Sequence, residues 1–285
     1  MKIKIFFLLY FLCLSIYSQQ FRTTSAIADL DQYYNNNGVA VADYDQDGDL
    51  DIFLVSYHGG NNNSRLLENT NNGNFIDVTA ATGINQNLNH EIDLPSGFYF
   101  GDRLSASWGD FNNDGYPDLF LGNSVQSELY KNNGDGSFAN ITESAGFQVS
   151  CDSCYITGAL WLDYDLDGLL DIFLSDYYSD SPNKLYRNLG NETFELIDLS
   201  SVIENANSFS AINMYVNEDA YPDIYIANDF DQNNMLLINQ EGSGFVNQAE
   251  SYQVLDPRDG MGLATCDYDN DLDTFLKDKN VLFIR

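Results

Sequence analysis

The sequence predicts an all-β fold, a β-propeller of four-stranded blades, and three observations carry that expectation. Short apolar runs rich in Val, Ile, Phe and Tyr recur with no amphipathic helical period between them. A unit that opens with such a run and an acidic loop returns every ~50 residues, the span of one propeller blade. Each unit then carries an Asn/Gly-rich turn followed by a phenylalanine or valine-bearing segment, the signal of a hairpin between a third and a fourth strand.

Composition narrows the function classes. The 285 residues hold 12 Lys+Arg against 43 Asp+Glu, a net charge of −31. That sign excludes duplex nucleic-acid binding by phosphate neutralisation and opposes docking on an anionic membrane. Hydrophobic residues make up 44 % of the chain, with 19 Tyr and 19 Phe, which is a folding composition and not an acidic tail.

The chain opens on an address. Residues 1–18 read MKIKIFFLLYFLCLSIYS, with Lys2 and Lys4 before an apolar stretch and Ser18 as a small residue at its end. This is the pattern of a Sec-type signal peptide. The apolar stretch, residues 5–16, is short of the ~20 residues a membrane span needs. Leu12 before Cys13 does not fit a lipoprotein anchor. The expected organisation is therefore a signal peptide over 1–18, a repeat domain over 19–276 and an off-pattern tail, KDKNVLFIR, over 277–285. Export implies an oxidising, calcium-rich setting. There, Cys151 and Cys154 of the CDSC segment read as a short-range disulfide or a pair of loop thiols. No second CxxC or His pair is available to complete a zinc shell, and Cys266 reads as a small buried hydrophobe.

Five copies of the leading half-unit follow: GVAVADYDQDGDLDIFLVSY (38–57), SASWGDFNNDGYPDLFLGN (105–123), GALWLDYDLDGLLDIFLSDY (158–177), SAINMYVNEDAYPDIYIAND (210–229) and GLATCDYDNDLDTFL (262–276). The trailing halves are NNGNFIDVT (71–79), NNGDGSFANIT (132–142), NLGNETFELID (188–198) and NQEGSGFVNQA (239–249). Four units are complete and the fifth stops after its expected second strand. Residues 84–98 form an insertion between units one and two. Phe21 in FRTTS resembles the phenylalanine that opens each final strand, an offset suited to closing a ring of sheets.

The loop within each leading half has the pattern D-x-[DN]-x-D-G-x-x-D. It reads Asp43, Asp45, Asp47, Gly48, Asp51 in the first copy. The second has Asp110, Asn112, Asp114, Gly115, Asp118, and the third Asp163, Asp165, Asp167, Gly168, Asp171. Side-chain oxygens at positions one, three and five, a main-chain carbonyl at position seven (Asp49, Tyr116, Leu169) and a carboxylate at position nine can wrap one hard cation, with glycine permitting the bend. Such crowding of carboxylates calls for a counter-charge, and Ca²⁺ suits it better than the smaller Mg²⁺. An EF-hand shares the loop but needs a Glu at position twelve and flanking helices. Here that position is Leu54, Leu121 or Leu174, within β-forming segments. A solvated acidic turn is the plain alternative for one copy; three copies in register favour the ion, in a structural role. The fourth copy keeps only Asn217, Asp219 and Asp223, with Tyr215 first and Ala220 for glycine. The fifth, Asp267, Asp269, Asp271 and Asp273, lacks residues around the glycine. Both read as degenerate.

Together these motifs resemble FG-GAP/VCBS repeats, the blades of integrin-type β-propellers, from Phe21 to Asp273. NKLYRNLGNETF (183–194) looks most like the repeat region of secreted ASPIC/UnbV and cartilage-acidic-protein-like proteins. The resemblance implies an extracellular, calcium-stabilised propeller for adhesion or for recognition of a glycan or protein ligand. It also implies a full ring of about seven blades, so that this chain is an incomplete one.

No catalytic residues are assigned. His58 and His90 are the only histidines, and no G-x-S-x-G elbow is present. A propeller-type polysaccharide lyase or hydrolase and a truncated fragment with no independent role are the rival readings. The expected recognition surface is the set of loops at 58–64, 124–127, 177–182 and 229–234, which mix Tyr, Phe, Asn and Asp. Trp108 and Trp161, two residues ahead of their acidic loops, read as packing residues.

Overall fold

The computed structural model describes residues 36–56, 64–70, 74–84, 103–124, 127–147, 154–177, 182–217, 219–260, 262–265 and 281–284. The leader, Phe21, most of the insertion, His58, His90, Cys151, Cys266 and the fifth acidic loop lie outside these residues.

Four antiparallel sheets of four strands follow one another along the chain. The first blade is β1 (Asn36–Ala42), β2 (Asp51–Ser56), β3 (Arg65–Asn69) and β4 (Phe75–Asp77). The second is β5 (Arg103–Gly109), β6 (Asp118–Asn123), β7 (Glu128–Asn132) and β8 (Phe138–Asn140). The third is β9 (Ile156–Leu162), β10 (Asp171–Asp176), β11 (Lys184–Asn188) and β12 (Phe194–Ile197), and the fourth is β13 (Ser208–Met214), β14 (Asp223–Asn228), β15 (Met235–Asn239) and β16 (Phe245–Asn247). In every blade the strands pair in chain order, as an up-and-down meander. A fifth sheet holds β17 (Gly262–Thr265) against β18 (Val281–Ile284), so the off-pattern tail supplies a strand where the repeat had suggested residues near 273–276.

Burial explains the strand sequences. β6, β10 and β14 are buried along their whole length, because each second strand is covered by a blade on both faces. That is why DLFLGN, DIFLSD and DIYIAN read as continuous rather than alternating apolar runs. Fourth strands lie at sheet edges, and Ile76, Leu196 and Val246 point outward from them.

The core lies between blades. Phe53, Val55 and Leu66 of the first blade pack with Leu119, Leu121 and Tyr130 of the second. Phe111, Phe120 and Leu129 meet Ile172, Tyr186 and Phe194, and Phe173 and Leu185 meet Ile224, Met235 and Leu237. Leu263 packs on a cluster of Met214, Tyr225 and Leu236. Trp108 packs edge-on against Phe53 at 6.4 Å, and Trp161 stacks on Phe111 at 6.3 Å, so both indoles fill interblade seams. Gly109 makes room for the second one: a Cβ there would sit 2.7 Å from Trp161 Cγ.

Polar straps cross the same seams. In the second, third and fourth blades the asparagine that ends the third strand donates its side-chain amide to the preceding blade: Asn132 to Tyr44 O, Asn188 to Phe111 O and Asn239 to Tyr164 O, each at 2.8 Å. Its side-chain oxygen accepts from a turn glycine, Gly134, Gly190 or Gly242, whose φ values are 72, 72 and 76°. The Asn/Gly signal therefore marks a hairpin, but the hairpin spans five residues, such as 133–137 between Asn132 and Phe138. The first asparagine is a strand-end brace and not a left-handed turn residue.

Candidate metal centres

The acidic loops join the first and second strands of a blade, and their ninth position opens the second strand. Asp51, Asp118, Asp171 and Asp223 pair in register with Ala42, Gly109, Leu162 and Met214. Each of these four carboxylates is fully buried and accepts two backbone N–H groups. Asp118 accepts from Phe111 at 3.2 Å and Asn132 at 2.8 Å, and Asp171 from Tyr164 at 3.0 Å and Asn188 at 2.8 Å. Asp51 and Asp223 do the same with Tyr44 and Asn69, and with Val216 and Asn239. The ninth residue thus ties the loop to the end of the third strand, even in the fourth blade, where the rest of the motif has decayed. Each carboxylate oxygen keeps a lone pair after these bonds, so anchoring does not preclude ligation.

Earlier positions shape the loop from within. Gly48, Gly115 and Gly168 hold φ near 90° and donate N–H to the first-position carboxylates Asp43, Asp110 and Asp163 at 3.0, 2.9 and 2.9 Å. The seventh residues Asp49, Tyr116 and Leu169 donate N–H to Asp47, Asp114 and Asp167. Carboxylate oxygens of Asp43, Asp45 and Asp47 all lie within 4.8 Å of one another, as do those of Asp163, Asp165 and Asp171. Among the described residues these are the two such groupings. The second loop has an amide where the others have a carboxylate, and Asn112 donates to Asp114 at 2.9 Å.

The donor set fits a hard divalent cation. Asp43 Oδ1 and Asp165 Oδ1 are buried without a hydrogen-bond partner, each within one of the two groupings. A buried carboxylate oxygen with nothing to accept from costs free energy that an ion would offset. The titration shifts point the same way. Burial pushes Asp51 up to about 6, and Asp118 and Asp171 up to about 7, against the relief of their backbone hydrogen bonds and with neighbouring carboxylates adding to the rise. Asp45 is raised by burial and then by Asp47, Glu68 and Asp43. Asp165 is raised by burial and Asp167 and pulled back by Arg187.

Two features near these loops have no signature in the motif. The fourth residue adopts a left-handed backbone, with φ of 62° at Gln46, 57° at Asn113 and 58° at Leu166. From there Gln46 donates to Gly115 O and Asn113 donates to Gly168 O at 2.9 Å, linking each loop to the next. In the first and third blades the residue ahead of the asparagine that ends the third strand also reaches the loop region. Glu68 accepts from Tyr44 Oη at 3.0 Å, and Arg187 pairs with Asp165 at 2.7 Å. Their distance along the chain from the loop hides them from a motif search.

Aromatic rings from the loops after β10 and β14 meet rings from the starts of the first strands β9 and β13. Tyr177 lies 6.2 Å from Tyr155, 5.7 Å from Phe209 and 5.9 Å from Phe230. Its hydroxyl donates to Asp229 at 2.6 Å, and Phe230 is 63 % exposed at a φ of 55°.

Residues 110–174, covering one leading half-unit to the next, match the family model of the FG-GAP-like repeat. The chain carries FG-GAP-like repeats. These repeats are homologous to part of cartilage acidic protein 1: the mouse and human proteins are each 27 % identical to the chain over 169 residues, 58 % of its length. The Xenopus tropicalis protein is 25 % identical over 161 residues, 55 % of the chain. The match spans 24 %, 23 % and 22 % of those three proteins, about a quarter of their length. Among solved structures, an Agrocybe aegerita lectin described as recognising non-reducing terminal N-acetylglucosamine aligns over 75 % of this chain and 52 % of its own, at 16 % identity and a TM-score of 0.45. The V. cholerae biofilm matrix protein Bap1 aligns over 74 % of this chain and 39 % of its own, at 13 % identity and a TM-score of 0.31.

Proposed function

We propose that this FG-GAP-like repeat protein works outside the cell as a calcium-stabilised recognition module for protein or glycan ligands. The observation that carries the metal reading is the pair of buried, unpartnered carboxylate oxygens, Asp43 Oδ1 and Asp165 Oδ1, within clusters of three acids. Ca²⁺ is held by side-chain oxygens of Asp43, Asp45, Asp47 and Asp51 and by the corresponding residues of the second and third loops, with main-chain oxygens of Asp49, Tyr116 and Leu169 completing each set. The ions are structural. Extracellular calcium modules bind with Kd of roughly 10⁻⁴–10⁻³ M. At tenfold excess over Kd each site adds ~1.4 kcal/mol, and three sites add ~4 kcal/mol.

The leader-like residues 1–18 and the kinship with cartilage acidic protein 1 support an extracellular setting. The exposed ring of Phe230, next to half-buried Tyr177 and Phe209, supports recognition, because an aromatic face beside polar loops suits stacking and hydrogen bonding. Thermal melting of the full chain tests the metal role. Calcium should raise the midpoint over an EDTA-treated sample by about 8–16 °C; an unmoved midpoint overturns it.

A further inference from the structure

One position, the residue just before the asparagine that ends each third strand, varies in charge between blades: it is acidic at Glu68, basic at Lys131 and Arg187, and apolar at Ile238. Its surroundings are equivalent throughout, since it lies on the third strand, one residue from the amide that the ninth-position aspartate binds. The four side chains behave differently. Glu68 adds a carboxylate beside the first loop, where Tyr44 Oη holds it at 3.0 Å. Lys131 turns away to pair with Glu192 on the next blade. Arg187 reaches into the third loop, with Nη2 at 2.7 Å from Asp165 Oδ2 and 3.5 Å from Asp167 Oδ2. Ile238 is apolar, in the blade whose loop has lost Asp at its first position.

Resting on the calcium reading above, we infer that this position sets the cation affinity of each loop, and that Arg187 is a tethered counter-ion which the third loop must release to take up Ca²⁺. The guanidinium already neutralises the carboxylates at positions three and five, which a bound ion would need. It is poorly settled there: Arg187 Nε is buried with no partner, and the second oxygen of Asp165 is equally unpartnered. Glu68 does the opposite, adding negative charge to a loop that already has five aspartates from Asp43 to Asp51. The first loop therefore fills at the lowest calcium concentration and the third at the highest. Lys131, drawn aside by Glu192, leaves the second loop between them.

Calorimetric Ca²⁺ titration of the full chain, freed of metal beforehand, tests this at fixed ionic strength. Asp43→Asn and Asp163→Asn assign the steps by deleting them, and they should remove the tightest and the weakest step respectively. Arg187→Gln should tighten the weakest step by about tenfold, the effect of taking a unit charge from a few ångströms beside a divalent ion in a solvated loop. Arg187→Lys, which keeps the charge, should leave that step weak, and Glu68→Gln should weaken the tightest step by a similar factor. Circular dichroism of each variant establishes that it is folded. Unchanged affinities in a folded Arg187→Gln variant overturn the inference while calcium binding stands. A parent chain with no calcium steps overturns the metal reading itself.

Discussion

Replacing Asn188 by alanine asks how much of the interblade cohesion comes from side-chain amides. Asn188 is buried at 1 % exposure, and its side chain makes three hydrogen bonds. Two run from Nδ2, to Phe111 O of the preceding blade at 2.8 Å and to Leu170 O at 3.0 Å. The third runs from Gly190 N to Oδ1 at 2.9 Å. Alanine removes all three and leaves buried main-chain groups unpaired. At ~1 kcal/mol net for each bond, the loss is ~3 kcal/mol. For a domain of this size that lowers the melting midpoint by about 6–12 °C. Asn69 provides the internal control. Among the described residues its Nδ2 reaches only Leu50 O within its own blade, at 3.3 Å, and its Oδ1 is buried without a partner. Asn69→Ala should therefore cost no more than ~1 kcal/mol, a shift of a few degrees. Parallel melts followed by circular dichroism at one fixed calcium concentration compare the two variants. Equal losses, or a larger loss for Asn69→Ala, would refute the strap argument.

Other outcomes follow from the same geometry. In metal-free protein, the folded-state pKa values of Asp51, Asp118 and Asp171 lie above the ordinary carboxylate value, so folding is favoured by protons: stability is greatest below about pH 4 and falls as pH rises towards 7. Asp118 alone contributes at most ~4 kcal/mol to that fall. Midpoints measured from pH 4 to pH 8 should show the decline without calcium and lose it with calcium. Glu128→Ala should cost ~3 kcal/mol or more in urea unfolding, because it removes the buried carboxylate that lies 2.9 Å from the Arg103 guanidinium. Gly109→Ala should cost ~1–3 kcal/mol and change tryptophan emission, since the new methyl would overlap the Trp161 ring at 2.7 Å.

The strands and blades were legible because burial leaves a mark on composition. The centre of DIFLSD, residues 172–174, is a continuous apolar run, since both faces of β10 are covered. The acidic loops were legible because glycine and aspartate recur at fixed spacing. The anchoring role of Asp51, Asp118 and Asp171 was less so, because the proposed ligand role calls for the same residue. The presence of Asp223, in a blade whose loop begins with Tyr215, is the hint that this position anchors the loop independently of the rest of the motif. Arg187 and Glu68 escaped notice because they reach the loops through strand pairing, not through adjacency. β18 escaped because its sequence follows no repeat. The straps were illegible for a different reason, since their acceptors are main-chain oxygens of Tyr44, Phe111 and Tyr164 and leave no trace in residue type.

That last property has a consequence for how such arrays change over time. A donor amide that seeks a peptide oxygen places no demand on the identity of its neighbour. One module can drift, even to the point of losing much of its acidic loop, and still grip the module before it. The fourth blade shows this: Asn239 holds Tyr164 O as firmly as its counterparts hold theirs. Duplication, loss or exchange of a module would require only that the newcomer bring one asparagine at the right place.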